Sequence, residues 1–137
     1  MNRGELVTVA VSGDYGKPRP ALVIQDDVFD LHPSVTVLPL TSELHDSPLF
    51  RITVEAGKAT GLTKRSQVMV DKATTVPRSK IGSRIGRLDT RTINAVNREQ
   101  VDLLRRFRVA RVDASTDLKS ALLLSINCVA AGLGSTG

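Results

Sequence analysis

Arg19 stands between two prolines, Pro18 and Pro20. Each proline fixes its own φ, so the guanidinium is presented from a stiff stretch of backbone. Arginine keeps its proton at any ordinary pH. It is a poor proton shuttle and a strong planar donor to phosphate oxygens. Other side chains could act on the same kind of anion. Thr41 offers a hydroxyl, Asp71 a carboxylate, and His45 an imidazole that titrates usefully near neutrality. Lys17, Lys64 and Arg65 add cations suited to backbone phosphates, and Tyr15 is the one ring nearby that could stack a base. Each also has a plainer reading. Arg19 could simply pin the loop before it, and Thr41 could fill a strand end. Asp71 could be a solvated carboxylate paired with Lys72 or a nearby arginine, and His45 an exposed loop residue. Lys17, Lys64 and Arg65 could be ordinary solvated charges. No pair or cluster of His, Cys and carboxylates has metal-ligand spacing, so neither a metal site nor a cofactor is expected.

The composition sets the frame for these residues. With 137 residues the chain has room for one domain and one real core. Aromatics are only 3%, namely Phe29, Phe50, Phe107 and Tyr15, so the core must be Val, Leu and Ile. That scarcity also argues against a surface that stacks bases on aromatic platforms. The net charge of +5 favours a polyanionic partner, either nucleic acid or an acidic protein. The single cysteine, Cys128, leaves no internal disulfide and points to a reducing, cytoplasmic setting. The first residues lack the apolar run of a signal peptide. The apolar stretch 120–133 is too short and too rich in small residues to span a membrane.

Short β-branched runs dominate the first half: Leu6 to Val11, Ala21 to Gln25, Val35 to Thr41 and Phe50 to Val54. Gln67 to Asp71 and Lys72 to Val76 predict two more strands, or one long bent one. Pro39 cannot donate to a ladder and is expected on an edge or at a bulge. Turn-rich stretches separate the runs, Ser12 to Pro18 among them, and Glu55 to Lys64 forms a Gly-containing loop. The pattern predicts a compact all-β barrel or sandwich. It then changes to a helix capped by Asp89 or Thr90, with apolar positions Ile93, Val96, Val101, Leu104 and Phe107. Residues 1–108 are read as one domain and 109–137 as a weakly structured tail.

Together these residues form a recognisable order. Arg3-Gly4-Glu5-Leu6-Val7 opens the chain and Gly16-Lys17-Pro18-Arg19-Pro20-Ala21-Leu22-Val23-Ile24-Gln25 follows. Then come Val35 to Ser42, Gly61-Leu62, Ser66-Gln67-Val68-Met69-Val70-Asp71, and Ile85 to Asp89. This order resembles the MazF/PemK/Kid family of toxins from bacterial toxin–antitoxin pairs, over roughly residues 3 to 104. The resemblance implies a mainly β fold, an SH3-like small barrel of the CcdB/PemK type with a C-terminal α-helix. It also implies a homodimer, sequence-selective cleavage of single-stranded RNA, and inhibition by an acidic, partly disordered antitoxin.

The family's functional residues map onto Arg19, Thr41 and Asp71, and its mobile lid onto the loop Ser12 to Lys17, which carries Tyr15. Met69 stands where some relatives carry an arginine, and Thr74-Thr75-Val76 where others have Arg-Thr-Ile. In metal-free RNA cleavage the substrate's 2′-OH is the nucleophile, and the enzyme supplies a base, an acid and donors to the charged phosphorane. Arg19 suits the donor role, Thr41 could donate to the same phosphate, and Asp71 could act as base or orient Arg19. Two other functions stay open: a CcdB-like poison that binds DNA gyrase without cutting RNA, and a relative whose catalysis has decayed.

Overall fold

The computed structural model describes residues 1–10, 17–46 and 50–106. Seven strands and one helix form there, in the order β1 (Glu5–Val9), β2 (Arg19–Val23), β3 (Ser34–Thr41), β4 (Arg51–Val54), β5 (Ser66–Met69), β6 (Thr74–Pro77), β7 (Ile81–Arg87) and α1 (Thr90–Arg106). Every pairing is antiparallel, and the order across the sheet is β4-β5-β3-β2-β1-β7, with β6 also on β3. The expected mainly β fold followed by a helix is therefore present. The ladder does not join β7 back to β4 among the described residues.

β3 is central, which makes Pro39 a surprise. The Ile24 amide donates to the Thr36 carbonyl at 3.2 Å. Alternate residues of β3 therefore turn their polar groups towards β2, and Pro39 turns the other way. On that side β3 pairs with β6 as far as Val37 and with β5 from Leu40. Pro39 sits in the gap between two partners, where no donor is needed. It marks a handover, not an edge.

The strand period of two sorts the core into two layers. Leu6, Leu22, Leu38 and Leu40 share one layer with Val54 and Val68, beneath Val96, Ile93 and Leu103 of α1. Val7, Val9, Ala21, Val23, Val35 and Val37 form the other, against which Met1, Val76 and Ile81 pack among the described residues. β5 and β6 are two short strands separated by a 3₁₀ turn at Val70–Lys72.

Asp89 caps α1: its Oδ1 accepts from the Thr92 amide at 2.9 Å. Hydrogen bonds from Thr92 hold the Asp89 carboxyl below its ordinary value. The apolar stripe runs through Ile93, Val96 and Leu103, whereas Val101 is 50% exposed. A step of five residues from Val96 carries Val101 off the stripe, and a step of seven carries Leu103 back onto it. Phe107 and the stretch 109–137 lie outside the described residues.

β7 was not foreseen. Gly82, Ser83, Arg84 and Gly86 dilute its apolar residues, and its pairing with β1 shifts register twice. The loop between β4 and β5 lies against it. Gly61 adopts φ +69°, and a Cβ there would sit 1.9 Å from the Ile85 carbonyl oxygen. A Cβ on Gly86 would meet the Thr60 carbonyl carbon at 2.3 Å. This backbone-to-backbone contact carries Leu62, at the loop's end, into the core.

Candidate functional site

β2 begins with Arg19 and β3 ends with Thr41. Their ladder pairs Ala21 with Pro39 and Leu22 with Leu38. Continued by two residues, it sets Arg19 opposite Thr41. Thr41 pairs with Gln67 on β5, and Gln67 with Thr53 on β4. One row across four strands thus reads Arg19, Thr41, Gln67, Thr53.

A recess of about 160 Å³ opens at the Arg19 end of this row. Arg19 and Lys64 bring two cations to it, Ser42, Thr63 and Ser66 bring three hydroxyls, and Pro20, Leu40 and Leu62 supply the apolar part. Its shape follows from short local bonds. The Ser66 hydroxyl, 4% exposed as a residue, donates to the Lys64 carbonyl at 3.0 Å and folds the 63–65 turn back on β5. Thr41 Oγ1 accepts from the Glu43 amide at 3.1 Å and bends the chain as it leaves β3. Gln67 binds the same loop further along, at His45.

The expected site residues are distributed unevenly. Arg19 and Lys64 come together in the recess, Thr41 lies beside it at the end of β3 without lining it, and Lys17 lies exposed two residues before β2. His45 is exposed on the loop that Ser42 begins. Arg65 points elsewhere and pairs with Glu55 at 3.0 Å, both side chains being well exposed. Such a pair adds little to stability. Asp71 does not line the recess. It sits on the 3₁₀ turn after β5, 3.3 Å from Arg51 Nη1. Arg51 is the cross-strand partner of Met69, and its side chain is 14% exposed. Its Nη1 is buried without an aligned hydrogen bond, so the contact with Asp71 is mainly one of charge. Tyr15 lies outside the described residues.

Ser42, Thr63, Ser66 and Gln67 were not singled out as functional from sequence. The available signal was the polar pair Ser66-Gln67 opening an otherwise apolar strand. Chemically, the lining offers two fixed cations and hydroxyl donors beside an apolar surface. That suits a phosphodiester and the sugar or base next to it. Among the described residues no group of three or more His, Cys, Asp or Glu is placed to hold a metal ion. No helix among them is long and apolar enough to cross a membrane.

The family model for PemK-like, MazF-like toxins of type II toxin-antitoxin systems matches residues 2–103. Over 89 residues the chain is 55% identical to a Mycolicibacterium smegmatis protein described as a probable endoribonuclease MazF, covering 64% of this chain and 82% of that one. Among solved structures, the Mycobacterium tuberculosis toxin MazF-mt6 superposes with a TM-score of 0.65 at 24% identity, over 74% of this chain and 96% of that one. An endoribonuclease in complex with its cognate antitoxin, from a mycobacterial species, gives 0.66 at 18% identity, over 77% and 96%. At these identities the two structures establish the shared fold.

Proposed function

The chain belongs to the PemK-like, MazF-like toxins of type II toxin-antitoxin systems, and from that premise we propose that it is a metal-independent endoribonuclease. It cuts single-stranded RNA at short sequence motifs, inhibits translation and growth, and works as a homodimer in the cytoplasm. The observation that carries this reading is the recess that joins Arg19 and Lys64 at the end of the Arg19–Thr41 row.

In the reaction the ribose 2′-oxygen attacks the adjacent phosphorus and the 5′-oxygen of the next nucleotide departs. A 2′,3′-cyclic phosphate and a free 5′-hydroxyl remain. The phosphorane carries more charge than the diester, and Arg19 donates to its oxygens with Thr41 beside it. Lys64 and Lys17 hold neighbouring phosphates through a salt-dependent attraction that is blind to sequence. The proton on the 2′-hydroxyl and the proton for the leaving oxygen need a titrating partner. Asp71 and His45 are the two candidates. An acidic antitoxin segment would bind across the same cations and exclude RNA, with affinity that falls as salt rises.

The test is cleavage of a long, unstructured RNA in EDTA, with the new ends mapped. Discrete cuts leaving cyclic phosphate, lost in Arg19→Ala, are expected. A folded wild-type dimer that cuts nothing would refute the nuclease and move attention to gyrase binding.

A further inference from the structure

We propose that Gln67 is a positioning residue for RNA cleavage at this recess, its side-chain amide clasping the backbone of His45 and so setting the wall that carries Ser42. The proposal rests on the nuclease reading above.

Gln67 is 7% exposed, between Ser66 at 4% and Val68 at 0%. A buried primary amide must find partners for its oxygen and its nitrogen, because an unmet polar group there is costly. Gln67 finds both on one residue. The His45 amide donates to Oε1 at 3.0 Å, and Nε2 donates to the His45 carbonyl at 3.1 Å. The side chain thus imitates the edge of a neighbouring strand. It reads backbone, not the imidazole.

What it fixes is the loop leaving Thr41. That loop is tied at its start by the Glu43 amide on Thr41 Oγ1 and at residue 45 by Gln67. Ser42, which faces the recess, lies between the two ties. The preceding residue, Ser66, binds the Lys64 carbonyl. Adjacent buried side chains on β5 therefore hold both loops that line the recess, one on the Ser42 side and one on the Lys64 side. The spacing between the hydroxyl and the cation is set from a rigid strand below them. A displacement of about 1 Å in such a constellation costs on the order of 10²-fold in rate.

The distinguishing experiment compares kcat and KM for RNA in wild type, Gln67→Met and Gln67→Glu, with amide hydrogen exchange read at His45. Methionine keeps the length and loses both bonds. Glutamate keeps the acceptor for the His45 amide and cannot donate to the carbonyl. In Gln67→Met, kcat is expected to fall about 10- to 100-fold. KM should stay within about threefold, since phosphate contacts dominate affinity, and the His45 amide loses its protection while core amides keep theirs. Gln67→Glu should be intermediate in kcat and in His45 protection, which keeps the test decisive if the methionine variant folds poorly. An exposed His45 amide with unchanged kcat overturns the proposal. A loss of protection throughout the core, with kcat per folded molecule preserved, also overturns it. A wild type that cuts no RNA removes the nuclease reading itself, a different result from an active wild type whose Gln67 variants are unimpaired.

Discussion

The two faces of β1, β2 and β3 differ in what they carry and how they end. The leucine face, Leu6, Leu22, Leu38 and Leu40, lies under α1 and continues into Val54 and Val68. Among the described residues the valine face, Val7, Val9, Ala21, Val23, Val35 and Val37, has a thin cover of three half-buried side chains. On the leucine face the apolar row ends in residues that line the recess, Leu22 leading to Pro20 and Leu40 to Ser42. On the valine face it stops: Ala21 gives way to Arg19, and Pro39 to Thr41. The candidate site lies where both rows run out, with Leu40 and Leu62 of the leucine layer and Arg19 in its lining. Bulk and helix cover stabilise the middle of the strands, and their ends present polar side chains from that rigid frame.

Substitutions that separate these roles would sharpen the contrast. Arg19→Ala should lower kcat by about 10²–10³-fold, while the free energy of unfolding falls by no more than about 1.5 kcal/mol, the scale of one lost polar contact. Leu22→Ala should do the reverse. A loss of about 3 kcal/mol is expected on denaturant unfolding, against about 2 kcal/mol for Val23→Ala on the thinner face. Equal losses on the two faces would break the comparison. Asp71→Asn should cost less than about tenfold in rate, as its carboxylate lies outside the recess beside Arg51. A loss beyond about 10² would return proton transfer to Asp71.

The smallest effect concerns the helix cover. The Asp89 carboxyl is held low by Thr92, so its contribution is complete above the unfolded value of 3.8 and is lost as pH falls through the lower folded value. Helix content followed by circular dichroism from about pH 5 to pH 2 should fall slightly earlier in wild type than in Asp89→Asn, which keeps an acceptor that does not titrate.

Much of this architecture was legible in the sequence, because period-two alternation and turn residues are local signals. The strands from β1 to β6 were read that way, and the helix cap was narrowed to Asp89 or Thr90. β7 was not, since an irregular strand full of Gly, Ser and Arg has no apolar alternation to detect. Pro39 pointed to an edge because a sequence does not show that one strand can change partners along its side. In the site, Arg19 and Lys64 could be found by residue type. Gln67, Ser66 and Ser42 could not, since their roles depend on which loop folds back over β5. Asp71 shows the converse: a carboxylate at a suggestive place in the chain is paired by a strand neighbour, Arg51, that sequence distance conceals. The wider readings of Tyr15 and of residues 109–137 fall outside the described residues.

Gly61 carries a lesson about which changes the molecule tolerates. It is exposed, yet a methyl group there would strike a main-chain oxygen of β7, and Gly86 on β7 is blocked in turn by the backbone of Thr60 and Ala59 in the loop. In a library of single variants, both positions should be as closed to replacement as Leu38 in the deepest part of the interior. The neighbouring Gly57, with open space around it, should accept many residues. Solvent exposure would misjudge Gly61, and sequence drift in the loop that leads to Leu62 is confined by two points of main-chain contact.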